Sequence, residues 1–159
     1  MIKIGLTGNI ASGKSEVRKI FEKLGIKTIC ADSIVHELFE NGDVKNKIIS
    51  SFQGYDILSD KVLDRKKLGQ IVFSNEEEKV KLEKILHPVV IQKILDFFEK
   101  NYNDDIVLVD VPLLFEGNLE YLFDKILLIY ANDKIRFDRI KKRNNFEDEY
   151  IKKIMDSQL

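Results

Sequence analysis

The sequence lacks paired cysteines, an excess of charge of one sign, and a long hydrophobic run. Its single cysteine excludes an internal disulfide framework and predicts a cytoplasmic protein, because thiols stay reduced there. The 26 basic and 27 acidic residues leave a net charge of −1, so we expect no binding of nucleic acid or membrane through bulk positive charge. The most apolar segment, 106–115, is interrupted by Asp110 and Pro112 and is too short to span a bilayer. Strand-like sequence begins at Ile2 without a signal peptide, so we expect neither secretion nor membrane insertion.

Short apolar segments alternate with amphipathic ones, which is typical of an α/β protein. A helix is predicted over Lys14–Leu24 from apolar residues at helical spacing, with Gly25 at its C-terminal cap. Strand, glycine-rich loop, helix and strand form a βαβ unit, so we expect a parallel sheet with a right-handed crossover. Four strands are predicted, Ile2–Leu6, Lys27–Cys30, Ile106–Val109 and Ile126–Tyr130. All but the short strand Lys27–Cys30 are expected to be buried.

The segment 33–102 has a helical pattern far longer than a crossover between two strands needs, which predicts an inserted lobe. Ser33 is the predicted N-cap of its first helix. A longer pair of amphipathic stretches is expected to be split at His87-Pro88, because a helix usually ends or kinks just before proline. The remaining predicted features are a basic helix over Asn132–Arg143, a break at Asn144-Asn145 and a final amphipathic stretch carrying Ile151, Ile154 and Met155.

A complete phosphate-binding motif of the type G-x-x-x-x-G-K-[ST] follows the first strand and opens the first helix. Its glycines let backbone N–H groups curl around a phosphate, and the helix N-terminus adds partial positive charge. Lys14 is expected to reach the β- and γ-phosphates of a nucleoside triphosphate, and the Ser15 hydroxyl to ligate Mg²⁺. A tight glycine turn that binds no ligand is the alternative interpretation. The predicted nucleotide-binding residues are Gly8, Asn9, Ile10, Ala11, Ser12, Gly13, Lys14 and Ser15.

Charged residues beyond this loop match the needs of a small-molecule kinase, which are a carboxylate beside the acceptor hydroxyl and cations around the phosphoryl group. Asp32 follows the second strand, where open α/β proteins bind ligands, although it could instead cap the next helix. Arg139 and Arg143 lie four residues apart on one helical face, with Arg136 adjacent. They could clamp a triphosphate or form a solvated basic face. Asp110 follows a strand in a Walker-B-like position, where it could hold Mg²⁺ through water.

Several blocks of sequence recur together in one family. They are Ile4–Ser15, Ala31-Asp32, Leu63-Asp64-Arg65 with Leu68-Gly69 and Val72-Phe73, His87-Pro88, Pro112–Glu116, Arg139 with Arg143, and Ser157-Gln158. In this order the chain resembles the dephospho-CoA kinase family almost from end to end. The phosphate loop alone is common to many ATPases, whereas the Leu-Asp-Arg, His-Pro and Pro-Leu-Leu-Phe-Glu blocks are much more specific.

The resemblance implies transfer of the γ-phosphoryl group of ATP to the ribose 3′-hydroxyl of dephospho-CoA, the last step of coenzyme A synthesis, with Mg²⁺ as cofactor. It also implies the three-layer α/β fold of P-loop NTPases, with an inserted helical substrate lobe and a C-terminal lid. The expected domains are a nucleotide-binding core at 1–32 and 103–135, an acceptor lobe at 33–102 and a lid region at 136–159.

Residue roles follow from the same resemblance. Asp32 matches the proposed catalytic base of the family and acts with Lys14 and Arg139, while Arg139 and Arg143 match the lid arginines that close over ATP. Three alternatives stay open: His87 could cap a helix, Glu116 could only satisfy loop N–H groups, and Leu113 to Phe115 could be core. The positions that match the acceptor pocket are Arg65, His87, Pro112, Leu113, Leu114, Phe115 and Glu116.

The chain also departs from the family pattern. Asn9 and Ala11 replace glycines, which should stiffen the loop without removing its N–H donors. Cys30 replaces the first Asp of the common Asp-Ala-Asp, so a second carboxylate is absent there. Family members usually continue for a few tens of residues past the match to Ser157-Gln158, with a last strand and part of the adenine pocket. Two rival functions are another P-loop kinase of small molecules and a nucleotide-binding module without catalysis.

Overall fold

The computed structural model describes residues 1–156 apart from Asn41, Lys61 and Asn145. The chain divides into two compact units, one formed by Met1–Ala31 with Phe97–Leu159 and the other by Asp32–Asp96. The predictions at Asn145 and at Ser157-Gln158 lie outside the described residues. The strands are β1 (Ile2–Thr7), β2 (Lys27–Cys30), β3 (Leu58–Ser59), β4 (Val62–Leu63), β5 (Ile106–Asp110) and β6 (Lys125–Leu128). The helices are α1 (Lys14–Lys23), α2 (Ala31–Glu40), α3 (Gly42–Ser51), α4 (Arg65–Ser74), α5 (Glu76–Lys100), α6 (Asp133–Asn144) and α7 (Asp148–Asp156).

A parallel sheet of four strands forms the centre of the first unit, in the order β2-β5-β1-β6. The register pairs Leu6 of β1 with Asp110 of β5, and Asp110 in turn with Cys30 of β2. The middle of β5 is fully buried, as expected for a parallel strand covered on both faces. The predicted α/β class, the parallel sheet and its four strands are therefore confirmed, with strand ends that differ by one or two residues. The prediction that the last of these strands is buried is wrong: Ile126 and Leu128 of β6 are 37% and 57% exposed, because β6 lies at the edge of the four-stranded sheet.

Helix α1 ends where the sequence indicates. Gly25 has a φ of +82°, and its N–H donates to the Glu22 carbonyl, while the Ile26 N–H donates to the Phe21 carbonyl. This pair of bonds is the Schellman motif, in which glycine takes the left-handed conformation at little cost. The motif turns the chain out of α1 and into β2.

The basic helix α6 and the amphipathic helix α7 close the described part of the first unit. Asn132 caps α6, since its side-chain oxygen accepts from the N–H of Ile135 at 2.9 Å. Lys141 of α6 pairs with Asp148 of α7 at 2.7 Å, and this hydrogen bond raises the pKa of Lys141. Ile140 and Ile151 are fully buried, so both helices are held mainly by apolar packing.

The second unit contains helices α2 to α4, most of α5 and a short hairpin. Its core includes Leu38, Ile48, Phe52, Leu68 and Ile94, each at most 2% exposed. The antiparallel pair β3–β4 was not predicted, because two-residue strands carry almost no periodic signal. No helix in the described part of the chain combines the length and apolar character that a membrane crossing requires.

Two predictions of helix ends are wrong. Ser33 is not an N-cap, because α2 already begins at Ala31, a buried residue of high helix propensity that follows β2 directly. Helix α5 continues through Pro88, although proline cannot donate to the carbonyl four residues earlier. Buried Ile85, Leu86 and Val90 flank the proline, and their packing offsets the lost hydrogen bond. Since α5 does not end at His87, the interpretation of this histidine as a helix cap is also wrong.

Candidate active site

The loop between β1 and α1 has a backbone that few residues tolerate. Gly8 has a φ of +145° and Gly13 a φ of +115°. A Cβ atom at Gly8 would lie 2.2 Å from the carbonyl oxygen of Ile129, so the loop start packs directly on the backbone after β6. Gly13 caps α1 and has no side chain, so no side-chain cap takes up the N–H groups of the first turn. These groups can therefore serve an anion.

Ala11 also has a positive φ, of +60°. The left-handed conformation costs a residue with a Cβ about 1–2 kcal/mol relative to the right-handed one. Alanine at this position therefore adds local strain to the loop. Strain of this kind persists only where neighbouring contacts hold the backbone in place.

Cations hold the carbonyl oxygens of the loop. Lys14 Nζ donates to the carbonyl of Gly8 at 2.5 Å. Arg139 Nη1 donates to the carbonyls of Ala11 and Ser12, at 2.9 and 3.1 Å. Charged donors make the stronger class of hydrogen bond, so these contacts fix the loop to its own helix α1 and to α6. Arg139 therefore lies against the phosphate-binding loop, where its sequence position predicts a nucleotide contact.

A cavity of about 320 Å³ opens beside the loop, within the size range of small-molecule sites. It lies beyond the carboxyl ends of β1, β5 and β6, the edge of a parallel sheet at which α/β proteins bind ligands. The structure brings six predicted site residues together there, namely Gly8, Asn9, Ser12, Pro112, Phe115 and Glu116. The other lining residues are Thr7, Leu128, Ile129, Tyr130, Ala131 and Arg136, none of which was among the predicted site residues.

The segment Pro112–Glu116 splits between cavity and core. Leu114 is fully buried, and a Cβ at Gly5 would come within 2.7 Å of its side chain. It is therefore a core residue and does not line the cavity. Leu113 and Phe115 are 48% and 40% exposed, and Phe115 lines the cavity together with Glu116. Leu114 thus belongs to the core, whereas its neighbours Leu113 and Phe115 stay exposed at the surface.

Two oxygen-bearing side chains lie near the loop at positions suited to Mg²⁺. Ser15 is in the first turn of α1, and Asp110 ends β5 beside β1. The Asp110 side chain is 6% exposed, and its carboxylate lies 3.9 Å from Arg18 Nε. Hydroxyl and carboxylate oxygens are the ligands that Mg²⁺ prefers. Among the described residues, no group of three or more His, Cys, Asp or Glu side chains is arranged to hold a metal ion.

Asp32, Arg65 and His87 all belong to the second unit. Asp32 is exposed in the first turn of α2, two residues beyond the end of β2. Arg65 begins α4 and donates to the ring of His36 and to the carboxylate of Glu40 on α2. The preceding Asp64 caps α4, and a hydrogen bond from Ser59 lowers its pKa. His87 is half-buried in the middle of α5.

Arg143 and Arg136 differ in their surroundings. Arg143 is exposed in the last turn of α6, one turn beyond Arg139. Arg136 is 6% exposed, lines the cavity and donates to the carbonyl of Ile10 at 3.1 Å. The sequence places Arg136 next to the other two arginines but gives no sign of burial, since long-range contacts decide it. The sequence signal that could have pointed to Arg136 as a site residue is its spacing, three residues before Arg139.

The chain matches the family model of dephospho-CoA kinase over residues 2–159. It belongs to the dephospho-CoA kinase family. Relatives of this family include a dephospho-CoA kinase of Bacillus cereus, 40% identical over 161 residues, which cover 99% of this chain and 80% of the relative. The dephospho-CoA kinase of Fusobacterium nucleatum is 41% identical over 156 residues, covering 98% of this chain and 80% of the relative. The resemblance to the dephospho-CoA kinase family is therefore confirmed.

Solved structures agree with the fold. A Thermus thermophilus protein, TT1252, superposes with a TM-score of 0.90 at 28% identity, covering 99% of this chain and 80% of its own. The dephospho-CoA kinase from Campylobacter jejuni gives a TM-score of 0.65 at 36% identity, covering 98% of this chain and 79% of its own. The chain thus spans about four-fifths of the dephospho-CoA kinases that it matches.

Proposed function

We propose that this chain catalyses the last step of coenzyme A synthesis, in which ATP phosphorylates the ribose 3′-hydroxyl of dephospho-CoA. The observation that carries the proposal is the complete phosphate-binding loop between β1 and α1, in a member of the dephospho-CoA kinase family. In the reaction, the 3′-oxygen forms a bond to the γ-phosphorus, and the bond to the β-bridging oxygen breaks. ADP leaves with that electron pair, and the hydroxyl proton passes to a base.

ATP is the expected phosphoryl donor. We expect the loop amides over 8–13 and the Lys14 ammonium to hold its β- and γ-phosphates, with the N-terminus of α1 adding partial positive charge. Arg139 lies against the loop, and Arg143 follows one turn later. Both belong to the expected lid region, 136–159, and their role is to neutralise the charge that spreads over the phosphoryl oxygens. Cations in this role accelerate phosphoryl transfer by about 10³-fold or more.

Mg²⁺ is the expected cofactor, and Ser15 and Asp110 are the residues that would hold it. The Ser15 hydroxyl would be a direct ligand, and the Asp110 carboxylate would act through water. When bound, the ion supplies positive charge that stabilises the β- and γ-phosphate oxygens during transfer. The position of Asp110 supports this assignment, because it ends β5 beside Leu6 of β1, the strand that leads into the phosphate-binding loop.

The acceptor is expected to be held by the second unit, which carries Asp32, Arg65 and His87, and by the segment Pro112–Glu116. Asp32 is the proposed base that orients the 3′-hydroxyl and takes its proton. Its exposed carboxylate in a first helical turn leaves it accessible to a ligand. We also propose that the reaction takes place in the cytoplasm, which the single cysteine supports.

The test is a product assay with matched variants. The chain is incubated with ATP, Mg²⁺ and dephospho-CoA, coenzyme A is measured by mass spectrometry, and the Bacillus cereus relative serves as positive control. Asp32→Asn should lower kcat by roughly 10²–10⁴-fold, the usual contribution of a general base, and leave ATP binding nearly intact. Asp43→Asn, an exposed aspartate in the first turn of α3, should leave kcat unchanged. Unchanged turnover in Asp32→Asn would contradict the role of the base.

Nucleotide binding without turnover would favour a module that has lost catalysis. In that case calorimetry detects ATP binding while no phosphorylated product forms with any alcohol offered. Lys14→Ala should abolish ATP binding and, in an active chain, turnover as well, because the lysine is expected to contact the β- and γ-phosphates directly.

A further inference from the structure

Arg136 is a buried cation that the proposed reaction does not use. Its side chain is 7% exposed in the second turn of α6, on the same helix as Arg139. Nε donates to the carbonyl of Ile10 at 3.1 Å, and Nη1 pairs with Asp133 at 3.0 Å. Asp133 thus anchors one side of the guanidinium while the other side holds the loop.

The position of Ile10 makes this contact important for loop shape. Ile10 precedes Ala11, whose left-handed backbone carries strain, and lies inside the turn that the Ser12 N–H closes onto the Asn9 carbonyl at 3.1 Å. A hydrogen bond to the Ile10 carbonyl from a buried charged donor therefore holds the loop next to the strained backbone of Ala11. The carbonyls on either side of that point are held differently, by Lys14 at Gly8 and by the exposed Arg139 at Ala11 and Ser12.

Arg136 is not optimised for stability alone. Its Nη2 atom is buried and meets no hydrogen-bond partner among the described residues. An unsatisfied buried donor of a charged group is costly, so stability alone does not account for its burial here. Arg136 also lines the cavity, so one side chain contacts both the loop backbone and the space beside it.

We infer that Arg136 is a positioning residue that holds the phosphate-binding loop in its binding conformation through the Ile10 carbonyl, with Asp133 as its anchor. It acts through the loop backbone and does not take part in the chemistry. The effect on ATP rests on the proposed function, whereas the effect on loop order does not. A bond of this type fixes the amides of the loop before a phosphate arrives, which lowers the entropy cost of binding.

Substitutions at Arg136 and Asp133 should change loop exchange and ATP binding in a specific pattern. Arg136→Gln should speed hydrogen exchange of the loop amides and raise KM for ATP roughly ten- to a hundredfold, with KM for the acceptor unchanged. Arg136→Lys should fail to restore either property, because a single ammonium cannot make both bonds of the planar fork. Asp133→Asn should shift both properties in the same direction by a smaller amount. The Asp133 side chain is 81% exposed, so its replacement leaves the fold intact.

The experiment is hydrogen exchange followed by mass spectrometry on peptides covering 8–17, without nucleotide, together with ATP kinetics. Lys142→Gln is the matched control, since it removes one positive charge from an exposed position of the same helix. Faster loop exchange in both Arg136 variants but not in the control supports the inference. Wild-type exchange in Arg136→Gln, or full rescue by Arg136→Lys, overturns it. A wild-type chain without kinase activity contradicts the proposed function, while the exchange comparison still decides the role of Arg136.

Discussion

Replacing Gly8 by alanine perturbs the phosphate-binding loop at the point where it contacts the backbone after β6. The new Cβ would lie 2.2 Å from the Ile129 carbonyl oxygen and 3.0 Å from Ser12 Oγ. The backbone there has a φ of +145°, a conformation that residues with a Cβ rarely adopt. Gly13 is the natural comparison, because its φ of +115° is also positive while the nearest atom to its added Cβ is Arg139 Nη1 at 3.8 Å.

The two glycines separate backbone strain from collision. Forcing a residue with a Cβ into such a conformation costs about 1–3 kcal/mol, and both variants bear this cost. Only Gly8→Ala adds the displacement of the Ile129 carbonyl, and overpacking of this kind costs about 1–3 kcal/mol more. We therefore expect Gly8→Ala to lower the free energy of unfolding by roughly 2–6 kcal/mol, and Gly13→Ala by the backbone cost alone.

Urea unfolding monitored by circular dichroism measures both changes, and calorimetric titration with ATP measures their effect on the loop. Gly8→Ala should lose more stability than Gly13→Ala and should also bind ATP more weakly than the wild type. Equal unfolding free energies for the two variants would refute the reasoning, because the difference rests entirely on the contact with Ile129.

Three further predictions concern packing, helix propensity and charge. Leu114→Ala should lower the free energy of unfolding by about 2–5 kcal/mol, whereas Leu113→Ala should change it by no more than about 0.5 kcal/mol, both measured by urea unfolding. Equal losses would contradict the assignment of Leu114 to the core and Leu113 to the surface. Gly69→Ala should raise stability by about 0.8–1 kcal/mol, because Gly69 lies exposed inside α4 and its added Cβ meets no atom within 4 Å; a lower melting temperature would count against this. The pKa of Asp64 is lowered in the folded state, so its contribution to stability is present above the ordinary carboxyl value of 3.8 and is lost as the pH falls below it. Asp64→Asn should therefore show a smaller drop in melting temperature between about pH 5 and about pH 3 than the wild type. An equal drop would show that this carboxylate does not contribute to the pH dependence of stability.

Local patterns predicted most of the first unit. The strands, the phosphate-binding loop and the cap at Gly25 each depend on residues close in sequence, so the sequence could show them. The continuous helix through Pro88 could not be foreseen, because buried neighbours decided whether the proline ended it. The start of α2 at Ala31 was missed for a similar reason, since the direct connection from β2 is a property of the packed chain.

The candidate site divides in the same way. The loop residues were predicted from their spacing, and their binding role stays a prediction, whereas the family resemblance was confirmed over almost the whole chain. Burial of Arg136 and the contrast between Leu113 and Leu114 depend on contacts between distant segments, such as Arg136 with Ile10, which are 126 residues apart in sequence. The roles of Asp32, Arg65 and His87 stay predictions that the proposed assays test.

The choice of acceptor is the most direct test of the proposed function. The chain is given ATP, Mg²⁺ and dephospho-CoA, adenosine or another nucleoside in turn, and kcat/KM is measured for each, with the position of the new phosphate determined by tandem mass spectrometry. Our account predicts phosphate at the ribose 3′-oxygen of dephospho-CoA, with a kcat/KM for dephospho-CoA well above that for either nucleoside. Faster phosphorylation of a nucleoside, or release of free phosphate without transfer to dephospho-CoA, would contradict it.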